Sequence, residues 1–167
     1  KAAKGADYIL HHAALVSVPQ SVREPALTKE INTDGTFNVL FAAKLAKVKR
    51  VVFASSSAVY GNTAKIPNKE SAKPNPISPY AQTKLQGEAL CKMFYHFYGL
   101  ECVILRYFNV FGPGQNPNSP YAAVVAKFFD SIKAGQPITI NGDGKQSRDF
   151  IFVKDVVEAN LLAALHA

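Results

Sequence analysis

Apolar and polar positions change period several times along this chain, and each change marks an element. Tyr8-Ile9-Leu10 is a short uncharged run ending at His11-His12-Ala13-Ala14, the pattern of a buried strand followed by a turn. From Pro25 to Ala46 the residues Leu27, Ile31, Phe37, Leu40, Phe41 and Leu45 recur at helical spacing. Arg50-Val51-Val52-Phe53-Ala54-Ser55 reads as the next strand, β-branched and uncharged after its first residue. A polar loop rich in Pro, Asn and Lys covers 61–75. Ser78-Pro79 then supplies an N-cap and a proline for the first helical position. The helix it opens is predicted to run to Tyr98, where Gly99 stops it. Val103-Ile104-Leu105 predicts a third strand, ending at Arg106-Tyr107-Phe108-Asn109. Beyond a Gly112-Pro113-Gly114 turn, 121–133 reads as a helix, Ile138-Thr139-Ile140 and Phe150-Ile151-Phe152 as short strands, and 155–166 as a last helix.

Buried strands alternating with long helices predict an α/β fold, part of a doubly wound parallel sheet. The 167 residues have the length of one domain or of part of a larger one. With 48% hydrophobic and 19% charged residues, the composition is that of an ordinary soluble globular protein. No apolar run approaches the ~18 residues of a membrane span, so no membrane partner is expected. The formal charge of +7 is scattered, densest at Lys44, Lys47, Lys49 and Arg50, where cations complement the end of the predicted helix. Without a clustered basic and aromatic stripe, no nucleic-acid partner is expected either. Cys91 and Cys102 have neither metal nor redox spacing; read as free, reduced and buried, they fit a cytoplasmic location. His11 and His12 point oppositely at a strand end, so no metal site is expected.

Candidate chemistry sits around Tyr80 and Lys84, one helical turn apart, with Ser55-Ser56-Ser57 ending a buried strand upstream. Ligands of open parallel sheets bind at the carboxyl ends of the strands. A free tyrosine, with a pKa of ~10, is a poor base at neutral pH, and a neighbouring ammonium can lower that value by ~1–3 units. Lys84 is therefore expected to favour the Tyr80 phenolate, and a serine hydroxyl to hold a substrate oxygen and relay its proton. The Tyr-x-x-x-Lys spacing is weak alone; a well-capped helix and a serine-rich strand end give it weight.

Six stretches occur in order: His12-Ala13-Ala14, Asn32-Thr33-Asp34-Gly35-Thr36, Ser55-Ser56-Ser57-Ala58-Val59-Tyr60-Gly61, Ser78-Pro79-Tyr80-Ala81-Gln82-Thr83-Lys84, Arg106 to Pro113, and Gly142-Asp143-Gly144 leading to Arg148-Asp149-Phe150. Together they resemble the extended short-chain dehydrogenase/reductase family, the NAD-dependent nucleotide-sugar epimerases and dehydratases, and most of all its UDP-sugar 4-epimerases. The resemblance implies Tyr80 as general base, Lys84 as its partner and a contact of the nicotinamide ribose, and Ser56 as the catalytic hydroxyl, with Ser57 as the alternative. It implies NAD contacts from His12, Ala13, Ala14, Leu15, Asn32, Ser55, Tyr80, Lys84 and Phe108. Ser56, Ser57, Tyr80, Asn109 and Arg148 would meet a UDP-sugar substrate. By the same resemblance, residues 1–112 would be the second part of an NAD-binding Rossmann domain. Residues 113–167 would supply substrate-domain segments with a returning strand and helix. A homodimer through the helices starting at Pro25 and Pro79 is implied as well.

Dehydratases of this family resemble Thr-Asp-Glu-Val-Tyr-Gly at the serine segment, and the acidic pair eliminates water. Here Ser57 and Ala58 stand in its place, which favours reversible oxidation at C4 over elimination or decarboxylation. Glucose, N-acetylglucosamine and glucuronate forms of the UDP-sugar all remain open. Family members also carry a Gly-x-x-Gly-x-x-Gly loop after their first strand, which this sequence lacks. The expectation is an internal segment of a longer enzyme, inactive by itself; a non-catalytic α/β fragment that binds a nucleotide sugar or a partner chain is the alternative.

Overall fold

The computed structural model describes residues 2–62, 66–116, 124–140 and 142–166. They form two compact units, one of residues 1–107 with 160–167 and one of residues 108–159.

The first unit is built on three parallel strands, β1 (Tyr8–His11), β2 (Arg50–Ser56) and β3 (Glu101–Tyr107), in the order β1-β2-β3. His11 pairs with Phe53, and Ser56 with Tyr107, so all three carboxyl ends meet along one edge. Central β2 buries Val51, Val52, Phe53 and Ala54 in succession, the near-continuous apolar run of a strand covered on both faces. On one face Val51 and Phe53 pack with Leu40 and Ala43 of α3 (Gly35–Ala46) and with Cys91 and Phe94 of α4 (Pro79–Tyr98). On the other, Val52 meets Ala163 and Ala164 of α6 (Val153–Leu165). The expected α/β architecture with parallel strands between helices is what the chain adopts. Cys91 is buried and Cys102 partly so, both as free thiols.

Two local features depart from the expected pattern. A short helix, α1 (Val18–Arg23), follows β1, opened by Ser17, whose hydroxyl accepts from the Gln20 amide at 3.0 Å, with Pro19 in the first turn. Its six residues are too few for a hydrophobic period to announce it. The helix expected from Pro25 to Ala46 is interrupted after α2 (Pro25–Lys29) by a π-helical turn, Glu30–Asp34, before α3 continues it. That turn carries Asn32 buried at its centre. Such insertions often mark functional positions.

In the second unit β4 (Asn109–Phe111) and β5 (Phe150–Phe152) make a parallel two-stranded sheet, accompanied by α5 (Val124–Lys133). The expected helix 121–133 is seen from Val124, its first three residues lying outside the described residues. Residues 138–140 are not a strand: β5 takes β4 as its partner, and Thr139 and Ile140 line a cleft instead. The last helix begins at Val153, directly after β5.

Candidate active site

Local sequence fixes where the candidate base stands. The Ser78 hydroxyl accepts from the Ala81 amide at 3.1 Å, Pro79 fills the first turn, and the Tyr80 amide donates to the Ser21 hydroxyl of α1 at 3.1 Å. The start of α4 is thereby tied down, and Tyr80 and Lys84 project from one face of it. Opposite them β2 ends at Ser56, whose hydroxyl accepts from the Ala58 amide at 3.1 Å and opens the 3₁₀ turn Ser57–Tyr60. The Tyr80 phenol shares a side-chain hydrogen bond with Ser56.

The electrostatics differ from the expectation. Burial pushes the Tyr80 phenol above its ordinary value of 10.0, and the Ser56 hydrogen bond offsets only part of that rise. Lys84 has no part in that shift; its ammonium donates to the Ala54 carbonyl at 2.8 Å. The Lys84 Nζ stands 5.9 Å from the centre of the Tyr80 ring and 5.2 Å from that of Phe53. Burial costs Lys84 its usual basicity, bringing its pKa from 10.5 down to about 8. Gly87, on α4, is what lets helix and strand approach this closely: a Cβ there would overlap the Phe53 ring.

The segment leaving β1 lies along the same edge. Asn32, buried in the π-helical turn, accepts from the Leu15 amide at 2.7 Å and donates to the Leu15 carbonyl at 3.0 Å and the Thr83 hydroxyl at 3.1 Å. One amide side chain therefore pins Leu15 to α4 at Thr83, the residue before Lys84. His12 stacks on Tyr107, with its Nε2 3.0 Å from the phenol oxygen, and Tyr107 donates to Asn160 at 2.8 Å. His11 turns inward to Phe53 and to the Thr36 hydroxyl, 3.0 Å from its Nε2. That hydroxyl donates to the Asn32 carbonyl at 2.6 Å, so the His11 Nε2 must carry the proton.

Desolvation, with the nearby charges of Lys84 and His12, lowers the His11 pKa from 6.5 to about 4. The unfolded chain then binds the extra proton between these two values, so stability rises with pH across that window. Full stability from this group is present above pH 6.5 and is lost as pH falls towards 4, a swing of about 3 kcal/mol. In thermal melts between pH 7 and pH 4, His11→Gln should flatten the acid fall in Tm relative to the parent protein. An identical fall in both would contradict a neutral buried His11.

Glu88, a buried residue that motif spacing did not single out, completes this edge together with Arg106. Glu88, one turn beyond Lys84 on α4, accepts from the Ser55 hydroxyl at 2.6 Å and from Arg106 Nε and Nη2 at 2.8 and 2.7 Å. Burial pushes the Glu88 carboxyl up, but Arg106 and Ser55 more than offset it, leaving it below the ordinary value. The Ser55 hydroxyl is therefore engaged in the core, 3% exposed, and any contact Ser55 makes with a bound cofactor falls to its backbone. The signal available in the sequence was the i+4 step from Lys84 to Glu88, facing an arginine at a strand end.

The second unit gathers the remaining candidates. Asn109 and Arg148 line a cleft of about 510 Å³ with Val124, Phe128, Ile140 and Phe150. Asn109 donates to the Asp149 carbonyl at 2.8 Å, and Arg148 to the Ser147 carbonyl at 2.8 Å. Phe108 is the first residue of this unit. Among the described residues no group of three or more His, Cys, Asp or Glu could hold a metal ion, and no helix is long and apolar enough to cross a membrane.

Known proteins resemble this chain in sequence and in fold. The family model described as the NAD dependent epimerase/dehydratase family matches residues 1–167. A putative UDP-glucose 4-epimerase of Methanocaldococcus jannaschii is 41% identical over 161 residues, 96% of this chain and 52% of that protein. The structure of a UDP-N-acetylglucosamine 4-epimerase from Methanobrevibacter ruminantium, in complex with UDP-N-acetylmuramic acid, superposes with a TM-score of 0.93 at 51% identity, covering 96% of this chain and 52% of that one. The Thermus thermophilus UDP-glucose 4-epimerase in complex with NAD gives a TM-score of 0.88 at 37% identity, covering 97% and 54%. The chain spans about half the length of the curated relatives it matches.

Proposed function

The chain belongs to the NAD dependent epimerase/dehydratase family, and we propose that the protein carrying it inverts C4 of a UDP-sugar through a transient 4-keto sugar. The observation that carries this reading is the meeting of Ser56, Tyr80 and Lys84 at the carboxyl edge of the parallel sheet. Tyr80 takes the C4 hydroxyl proton as base and returns it, and Ser56, already hydrogen-bonded to the phenol, holds the sugar oxygen and relays the proton. Lys84 contributes a positive charge and a contact to the nicotinamide ribose. When bound, NAD⁺ supplies the reversible hydride acceptor, so that C4 is oxidised to a ketone and reduced again on its other face.

The residues present fit the cofactor's nicotinamide side. Ala13 and Ala14 offer small, accessible side chains on a segment that Asn32 holds in place. His12, Ala13, Ala14, Leu15, Asn32 and the Ser55 backbone would line it, together with Phe108. Asn109 and Arg148 would take the sugar diphosphate, to which a planar guanidinium is suited. Ser57 and Ala58 provide no acid or base, so elimination of water is disfavoured. A homodimer through α2–α3 and α4 belongs to the same reading. Those helices expose Leu27, Phe37, Phe41, Leu45, Tyr95 and Phe97.

The test is direct. The complete protein, incubated in turn with UDP-glucose, UDP-N-acetylglucosamine and UDP-glucuronate, should convert one or more to the C4 epimer without net loss of water or CO₂. A 4-keto-6-deoxy product would move the reading to a dehydratase, and no turnover of any of the three would overturn it.

A further inference from the structure

Three consecutive residues of β2 are each tied to a different turn of α4. The Ala54 carbonyl accepts from Lys84 at 2.8 Å, the Ser55 hydroxyl donates to Glu88 at 2.6 Å, and Ser56 hydrogen-bonds the Tyr80 phenol. Tyr80, Lys84 and Glu88 are spaced four apart and share one helix face. We propose that Glu88 and Arg106 are positioning residues whose part-buried ion pair fixes the height and rotation of α4 against β2, and so sets where Tyr80 stands relative to Ser56. The role in turnover rests on the epimerase reading above; the geometric claim stands without it.

The pair is built for registration. Arg106 reaches across from β3, in register with Ser55, and grips both Glu88 oxygens through Nε and Nη2. Such a two-point fork fixes orientation as well as distance. Arg106 is itself held from behind, 4.7 Å over the Tyr60 ring and 3.4 Å from the Glu70 carbonyl. Glu88 is 2% exposed, where an ion pair is weak grounds for stability, since well-packed apolar side chains often do as well. What apolar packing lacks is a preferred rotation about the helix axis. The anchor sits eight residues from Tyr80, ~12 Å along the helix, and any slip there is carried by the rigid helix to the phenol.

The experiment compares Glu88→Gln and Arg106→Lys with Leu40→Ala in the complete protein. Leu40 is fully buried on α3, in the apolar cluster with Val51, Phe53, Cys91 and Phe94, so its truncation supplies a comparable stability loss while leaving the ion pair intact. The first readout is the titration midpoint of Tyr80, taken as the ultraviolet difference between each protein and its Tyr80→Phe counterpart. The Ser56 hydrogen bond is the contribution that draws this phenol down, so loosening it should raise the midpoint by roughly 0.5–1 pH unit. At a temperature where all variants are folded, turnover should drop by up to about 10²-fold, the scale of a 1 Å misplacement, with the UDP-sugar KM little changed. Leu40→Ala should move neither. Should Glu88→Gln fail to fold, Arg106→Lys, which keeps the charge and loses the fork, carries the same test. Wild-type midpoints in both variants, or shifts matched by Leu40→Ala, would overturn the proposal. An inactive parent protein with a shifted midpoint in Glu88→Gln would instead overturn the epimerase reading and leave the positioning role standing.

Discussion

Tyr80→Phe should lower UDP-sugar turnover by roughly 10²–10⁴-fold, the range that a positioned acid–base group supplies. The substitution removes one oxygen and little else. The ring stays on the first turn of α4, which Ser78 and Ser21 hold through backbone amides that the change does not touch. The lost phenol–Ser56 hydrogen bond is worth about 1 kcal/mol, so Tm should fall by no more than a few degrees. Binding of the UDP-sugar should persist, because the substitution keeps the aromatic ring and alters no other side chain. Chromatographic assay of the epimer, with a melt and a binding titration on the same samples, separates these effects. Turnover within threefold of the parent protein would remove Tyr80 from the mechanism and leave Ser56 without a partner.

The strands and the long helices could be read from the sequence because they are written locally. Val51 to Ala54 is an apolar run, and Ser78-Pro79 and Gly99 bracket α4 with side chains that act on adjacent amides. The placement of Ser56, Tyr80 and Lys84 on one edge followed from those elements. What remained hidden depends on pairs far apart in the chain. Asn32 meets Leu15 and Thr83 across 17 and 51 positions, and the π-helical turn that presents it leaves no hydrophobic period of its own. Glu88 meets Ser55 across 33 positions, and a buried glutamate in a helix reads from sequence as an exposed one. The direction of the Tyr80 shift was hidden for a different reason. It is a balance of burial against one hydrogen bond, and Lys84, though placed at the right spacing, has no part in it.

Lys84→Met should separate catalysis from stability, with turnover lost and the fold kept or improved. The charged Lys84 is 5% exposed, so its fall in pKa from 10.5 to about 8 represents a real burial cost, about 3 kcal/mol. Its sign follows from proton counting: between pH 8 and 10.5 the unfolded chain holds the proton that the folded chain has released, so stability rises with pH there. At pH 7 the whole cost is carried. Methionine fills a similar volume beside Phe53 and escapes that cost, but withdraws the donor from the Ala54 carbonyl. That loss amounts to about 1–3 kcal/mol. The two nearly cancel, with the balance towards stabilisation, and Tm at pH 7 should be unchanged or a few degrees higher. Turnover should nevertheless fall by ~10²-fold or more, because the cation proposed to contact the nicotinamide ribose is gone. With Lys84 needed in its charged form, kcat/KM for the parent protein should decline as pH rises through about 8. The residual activity of Lys84→Met should lack that limb. A Tm lowered by ten degrees would make Lys84 a structural anchor of α4, and an alkaline limb that survives the substitution would assign that titration to another group.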